Sequence, residues 1–241
     1  MLNIDELAEL VRERRTIRGY QKDRDVPEEY IAKILDVARW APSGGNGQPW
    51  EFIVIRDPQM RQRIVELYVK QTQDKIELER VVRGKVGQIG GGFRNAPVFI
   101  VVVGDPRVNE CYPVRTREEK ANQHFISGLA SATLLIHLAA AALGLGSQWV
   151  SDANSPYMST MLKVWLGIPD ELRIYELIPI GYPVGRPDAP PRRSLDEITH
   201  RERYEPSKRR TDEDVTRFIQ TITRAGNFGR AKARDGDAGG Q

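Results

Sequence analysis

The chain has 241 residues, a length that fits one domain or two small ones. Its formal charge is +3, and this excess lies in residues 201–241, which hold 10 basic and 7 acidic side chains; a neutral main body argues against nucleic-acid binding. One cysteine, Cys111, excludes an internal disulfide framework, and three histidines spread along the sequence argue against a metal site.

The first quarter of the chain contains two predicted helices, a loop and a strand. Apolar residues recur at helical spacing over 5–13 and 27–41, with Pro27 suited to a first helical turn. Residues 42–50 contain three glycines and two prolines, which predicts a loop. A short strand is expected at 52–55.

The middle of the chain contains the most apolar segments. A polar helix is predicted over 58–82, followed by a glycine-rich stretch at 84–92 that is expected to be mobile. The β-branched run at 98–103 predicts a buried strand. An Ala-rich helix is predicted over 119–143, and a short strand over 147–150.

The last third contains further elements and a polar tail. Ser155 as N-cap and Pro156 predict a helix that runs to 166, and a strand is expected at 175–182. The proline-rich segment 183–193 must be extended, and a last helix is predicted from 211 to about 224. The mixture of helices and strands without strict βαβ alternation predicts an α+β fold with a mixed, mostly antiparallel sheet.

Localisation depends on the N-terminus and on the apolar stretch at 125–149. The first residues are acidic and do not have the pattern of a secretory signal. The apolar stretch could form a transmembrane helix or a buried helix packed closely on a neighbour, and its small residues favour the buried helix. We therefore expect a cytoplasmic protein that does not contact a membrane.

Four segments carry possible binding chemistry, and each also has an ordinary structural interpretation. The basic segment 14–18 suits phosphate oxygens or is a solvated helix end. The loop at 42–50 suits a flat heterocycle or is a rigid turn. Residues 144–151 lack a dinucleotide fingerprint and could simply end a helix, while 192–197 could be a solvated turn.

Two side chains also have ordinary interpretations. His137 lies in an apolar helix and is expected to be a core residue. A nucleophilic role for Cys111 has little support, because no histidine is near it in sequence.

Together these segments resemble the nitroreductase family of FMN-dependent oxidoreductases. The resemblance spans about residues 10–204 and is carried by 14–18, 38–50, 144–147, 191–197 and 201–204. It implies a nitroreductase-like domain over 1–204 that is completed by dimerisation. A C-terminal helix at 205–225 and a disordered tail at 226–241 would follow it.

The resemblance implies a homodimer that binds FMN at the subunit interface and uses NADH or NADPH as electron donor. Residues 14–18 would hold the phosphate and ribityl chain, the loop at 42–46 would come from the other subunit, and 149–151 would line the isoalloxazine. The implied cofactor-binding residues are Arg14, Arg15, Thr16, Arg18, Pro42, Ser43, Gly44, Asn46, Trp149, Val150, Ser151 and Arg192. No metal and no individual catalytic residue are implied.

The implied activity is ping-pong reduction of a small, planar, electron-poor substrate such as a nitroaromatic, a quinone or an enone. Reductive dehalogenation, dehydrogenation or flavin breakdown on the same fold remains an alternative, as does flavin binding without turnover. Nucleic-acid binding through the basic tail is the remaining rival. Residues 59–95 match no family motif, and a role in substrate choice is open for them.

Overall fold

A computed structural model describes residues 3–83 and 93–222. The chain divides into two compact units, one comprising Met1–Gln71 and Gly91–Pro187 and the other Thr72–Gly90 and Asp188–Gln241. The predictions of a mobile stretch at 84–92, of a tail at 226–241 and of helix beyond 222 concern residues outside the described ranges. The domain borders at 204 and 225 remain predictions.

The first unit is built on a four-stranded sheet in the order β1-β2-β4-β3, in which all neighbouring strands are antiparallel. The strands are β1 (Trp50–Ile55), β2 (Val98–Gly104), β3 (Gly146–Ser147) and β4 (Arg173–Gly181). Every residue of β2 is buried, as its β-branched sequence predicts for an interior strand. A parallel bridge between Thr16 and Ser147 extends the edge of the sheet at β3. The α+β class with a mostly antiparallel sheet is thus confirmed.

The described ranges contain six α-helices of ten residues or more and one of four residues. They are α1 (Ile4–Glu13), α2 (Glu28–Ala38), α3 (Pro58–Arg83), α4 (Val114–Ala142), α5 (Pro156–Leu166), α6 (Leu195–Ile198) and α7 (Asp212–Thr221). The last two belong to the second unit, where Ser194 and Thr211 form capping boxes.

Several predicted boundaries were wrong for identifiable reasons. Helix α4 begins five residues earlier than predicted, because the extended backbone of Pro113 forms its N-cap. Helix α2 ends at Ala38, and Pro27 is its N-cap rather than part of its first turn. The strand predicted at 147–150 pairs only as far as Ser147, with an isolated bridge at Val150, because the chain then turns into a 3₁₀ helix at Ser151–Asn154.

Each face of the sheet carries its own hydrophobic core. Alternating residues of β2 point to opposite faces, so Phe99 packs in a core with Ile64 of α3 and Met158 of α5. Ile100 packs on the other face with Ile34 of α2 and Leu129 of α4. These cores fix α4 against the sheet.

Among the described residues, α4 is the one helix long and apolar enough to cross a membrane by length and composition. Nine of its 29 residues are buried in this chain, including Gly128 and Ala132. Small buried residues of this kind allow the close packing that its sequence predicts.

The edge of the sheet at β3 depends on a close approach that only glycine permits. A Cβ added at Gly146 would lie 2.6 Å from Cγ1 and 2.7 Å from Cβ of Ile17, and Ile17 is itself 3% exposed. The Cβ of a branched, buried side chain cannot move aside without moving its backbone.

We therefore expect Gly146→Ala to lower the free energy of unfolding by about 1–3 kcal/mol, as overpacking does in a filled core. The measurement is urea denaturation followed by circular dichroism. Gly185→Ala is the matched control, because a Cβ there meets nothing within 4 Å. Equal unfolding midpoints for the two variants would contradict this packing.

Candidate flavin site

The basic segment at 14–18 begins where α1 ends. Arg14 is the C-cap of α1, and its backbone N–H donates to the carbonyl of Leu10 at 3.0 Å. The guanidinium of Arg15 donates to the carbonyl of Arg14 at 2.8 Å and also to that of Arg12. Arg14 and Arg15 are half-buried and Arg18 is exposed. The helix end therefore presents several fixed donors and positive charges.

This segment is in direct contact with strand β3. The backbone N–H of Ile17 donates to the carbonyl of Ser147 at 3.0 Å, and Thr16 forms the parallel bridge with Ser147. Two sequence segments more than a hundred residues apart, both predicted to bind the same ligand, thus meet at one backbone junction.

A cleft opens at this junction. It is lined by Arg14, Arg15 and Arg186 together with Ser147 and Glu13, and its other walls are Leu10, Ile17, Ala141 and Leu145. Arg186 was not predicted from the sequence, because nothing in the extended segment 183–193 shows where that segment passes. Its guanidinium lies 3.7 Å from the carboxylate of Glu13. Three arginines line this cleft, and arginine is the side chain best suited to a dianionic group such as a phosphate.

Trp149 lies beside this junction and is 39% exposed. Its indole stacks on the imidazole of His137, with ring centroids 5.7 Å apart and an interplanar angle of 21°. Of the two residues that follow Trp149, Ser151 is exposed, whereas the side chain of Val150 is buried in the core between the sheet and α5. Trp149 and Ser151 can thus present side chains to a planar ligand, whereas Val150 can present only main-chain atoms.

The loop at 42–50 is a rigid turn that contacts α4 and Tyr112, a residue just before α4. Gly44–Asn46 form a short 3₁₀ helix in which Gly45 has φ of 56°. The hydroxyl of Ser43 accepts from the backbone N–H of Gln48 at 3.0 Å, and the hydroxyl of Tyr112 donates to the carbonyl of Gly44 at 2.8 Å. Pro42 and Asn46 are exposed, so the loop keeps a free outer edge.

The loop and the cleft lie against different parts of α4. Ser43 faces Gly128, where an added Cβ would lie 3.3 Å from the Ser43 Cβ, while the cleft includes Ala141. At about 1.5 Å per residue these two positions are about 20 Å apart along the helix. The structure therefore brings Arg14, Arg15 and Thr16 to Ser147, with Trp149 two residues further along the chain. Arg18 is not among the residues that line the cleft, and the loop lies at a distance from it within one chain.

Arg192 belongs to the second unit, where it is exposed and precedes α6. Its guanidinium donates to the carbonyls of Pro190 and Pro191, each at 3.2 Å.

Glu176 is a buried acid on the interior strand β4 that the sequence analysis did not single out. It is 1% exposed, and its register partner Val102 places it on the sheet face that carries α4. The pKa of its carboxyl is raised to about 9, chiefly by burial; a hydrogen bond from the backbone of Leu177 opposes this shift, and the charge of Asp152 contributes to it. A lone acidic residue inside an otherwise apolar strand was the signal available in the sequence.

Several buried polar atoms around this region have no hydrogen-bond partner within the described residues. They include Thr133 Oγ1, His137 Nε2, Gln148 Oε1 and Glu176 Oε1. Native proteins leave few such atoms, and an unfilled ligand or water position is one physical explanation for a group of them.

The sequence profile of the Nitroreductase family matches residues 11–182, which is most of the chain. The chain belongs to the nitroreductase family. The match covers the helix end, the loop, the sheet and the β3–β4 edge described above.

Known relatives agree with this membership. A protein of Archaeoglobus fulgidus, provisionally named NADH dehydrogenase/NAD(P)H nitroreductase, is 32% identical to this chain over 204 residues. The alignment spans 83% of this chain and the whole of that protein. Iodotyrosine deiodinase 1 of Sus scrofa is 27% identical over 205 residues, which cover 80% of this chain and 67% of that protein.

A solved structure also shares the fold. The crystal structure of a provisionally named nitroreductase from Desulfovibrio desulfuricans contains FMN. It has a TM-score of 0.59 and 27% identity, covering 85% of this chain and all of that one. The nitroreductase fold predicted from the sequence motifs is therefore confirmed.

The raised pKa of Glu176 predicts a pH dependence of stability in a defined range. The folded state holds this proton up to about pH 9, whereas the unfolded chain releases it near the ordinary value of 4.5. The stabilisation is therefore complete below about pH 4.5 and is lost as the pH rises through about 9. His137, whose pKa is lowered to about 4, does not titrate above pH 7.

Between pH 7 and 9, we expect the wild type to lose stability relative to Glu176→Gln by at most about 1.4 kcal/mol per pH unit. Urea unfolding at several pH values measures this difference. Glu171→Gln, at an exposed position shortly before β4, should run parallel to the wild type. A Glu176→Gln curve that is also parallel would show that the buried carboxyl does not hold its proton.

Proposed function

We propose that the protein is a cytoplasmic, homodimeric NAD(P)H oxidoreductase that uses FMN to reduce small, planar, electron-poor organic substrates. The observation that carries the proposal is the junction at Ser147, which joins a cleft lined by three arginines to a partly exposed Trp149. An anion site beside a flat aromatic surface suits a ligand with a phosphate at one end and a planar ring at the other. Membership of the nitroreductase family and the FMN complex of a relative support the same reading.

The residues present fit FMN. Arg14, Arg15, Thr16 and Arg18 would hold the phosphate and ribityl chain, and Arg186 adds a guanidinium to the same cleft. Arg192 is proposed to add a further charge. Trp149, Ser151 and the backbone at Val150 would line the ring, and the unpartnered Gln148 Oε1, next to Trp149 in the chain, offers a hydrogen-bond acceptor. When bound, FMN supplies the two-electron redox chemistry, and the protein supplies binding and orientation.

The separation along α4 supports a site shared between two protomers. One chain places the loop at 42–46 about 20 Å along α4 from the cleft, so we propose that Pro42, Ser43, Gly44 and Asn46 serve the flavin of the partner subunit. Helix α1 adds to this argument, because it has no buried residue and exposes Ile4 and Val11. A second copy of the chain would cover such an apolar stripe. Sedimentation that showed an FMN-loaded monomer would contradict the shared site.

The electron donor and the acceptor would occupy the same place over the flavin in turn, which gives ping-pong kinetics. Nitroaromatics, quinones and enones are the proposed acceptors. Reductive dehalogenation is the second candidate, favoured by the relatives named iodotyrosine deiodinase. The two candidates differ in the acceptor while sharing the cofactor.

Anaerobic titration of the purified protein tests the function. We expect the protein to be yellow and to be bleached stoichiometrically by NADPH or NADH, with colour restored by a nitroaromatic or a quinone. Restoration of the colour by a halogenated phenol with release of halide would select the second candidate. Bleaching by dithionite alone would contradict an NAD(P)H-driven reductase.

The phosphate assignment predicts a specific loss of affinity. Arg14→Ala should raise the FMN dissociation constant about 10- to 100-fold, as expected when a charge-assisted contact worth about 1.5–3 kcal/mol is removed. Flavin fluorescence quenching during titration of the apoprotein measures it. Arg12→Ala is the matched control, because Arg12 is an exposed arginine one half-turn earlier on α1. Unchanged affinity in Arg14→Ala would reject the assignment.

A further inference from the structure

His137 is buried among apolar residues of α4 and yet makes a specific polar contact. It is 4% exposed, and its Nδ1 shares a hydrogen bond of 2.7 Å with the hydroxyl of Ser147. Its other ring nitrogen, Nε2, has no hydrogen-bond partner among the described residues. A phenylalanine would fill similar space without that unpartnered atom, so packing alone does not account for an imidazole here.

Burial, with the positive charge of Arg14, lowers the pKa of His137 to about 4. The imidazole is therefore neutral near pH 7. A neutral ring can stack on an indole and keep a single hydrogen bond without bringing a further positive charge beside the guanidiniums of the cleft.

His137 binds Ser147, the residue at which the segment 14–18 meets strand β3. Ser147 is held on its backbone side by the N–H of Ile17, at 3.0 Å from the Ser147 carbonyl oxygen, and on its side-chain side by His137. It is 2% exposed. Its position therefore depends on both the segment at 14–18 and α4.

The same imidazole also supports Trp149. The indole stacks on His137 at 5.7 Å and meets the ring of Tyr175 edge-on at 6.1 Å with an interplanar angle of 67°. These two contacts restrict the indole, while its 39% exposed surface remains available to a ligand.

We propose that His137 is a positioning residue for the flavin. Through its hydrogen bond to Ser147 and its stack on Trp149, it fixes the spacing between the phosphate cleft and the ring-binding surface. The inference rests on the proposed FMN site and adds to it a residue that does not itself contact the cofactor. Preorganised spacing matters because a ligand that binds two surfaces at once loses affinity when those surfaces are free to move relative to each other.

The test separates positioning from stability through three variants: His137→Phe, Ser147→Ala and the double variant. His137→Phe keeps an aromatic ring beside Trp149 but leaves the buried hydroxyl of Ser147 without its partner. Ser147→Ala keeps the imidazole but leaves its Nδ1 without its hydrogen-bond partner. In the double variant both partners are apolar, so the free energy of unfolding is expected to return close to the wild-type value.

FMN affinity should behave differently from stability. We expect each of the three variants to raise the FMN dissociation constant about three- to tenfold, including the double variant of restored stability. The visible circular dichroism of bound flavin should change in the same variants that raise the FMN dissociation constant. Ser131→Ala removes a hydroxyl that donates to the carbonyl of Ser127 elsewhere on α4. It should leave the FMN dissociation constant and the visible circular dichroism unchanged.

Two outcomes overturn the inference and are distinguishable. If the wild type does not bind FMN at all, the proposed function fails and the inference fails with it. If the wild type binds FMN and the double variant regains both stability and wild-type affinity, His137 is structural and the flavin site stands without it.

Discussion

The backbone hydrogen bond from Ile17 to Ser147 is the contact on which the candidate site depends. It joins the end of α1 to the edge of the sheet and is possible only because Gly146 lets Ile17 approach. The arginines of the cleft are displayed from one side of this bond, and His137 and Trp149 from the other. It is therefore the backbone contact at which the two groups of residues meet.

Helix α4 is the reason why we propose a site shared between two chains. It packs on the sheet through one face and meets the loop and the cleft at positions about 20 Å apart. A long, straight helix cannot bring these two segments together within one protomer. Two copies arranged about a twofold axis through their α4 helices would place the loop of each near the cleft of the other, which is the arrangement we propose.

The sequence was informative wherever a pattern is local. The β-branched run at β2, the capping residues of α7 and the Gly-Pro composition at 42–50 each determine local structure by a short-range physical rule, and the structure shows each of these features. Arg186 and Glu176 were missed because their importance arises from tertiary position. A basic residue in an extended segment looks ordinary until the fold places it at a cleft, and an acid in an apolar strand indicates burial without showing what lies around it. His137 was recognised as buried, but its contact with Ser147 depends on the return of the chain at β3.

The distribution of charge also restricts what the site can bind. Arg14, Arg15 and Arg186 make the cleft cationic, with Glu13 as its one acidic wall. Behind it, burial keeps His137 uncharged by lowering its pKa and Glu176 uncharged by raising its pKa. Two ionisable side chains with opposite shifts therefore leave the interior beside Trp149 without net charge near pH 7. A ligand that is anionic throughout would gain nothing from this interior, and a wholly apolar one would gain nothing from the cleft. A molecule with an anionic tail and an uncharged ring would use both, which is why we propose FMN rather than an inorganic anion or an apolar metabolite as the ligand.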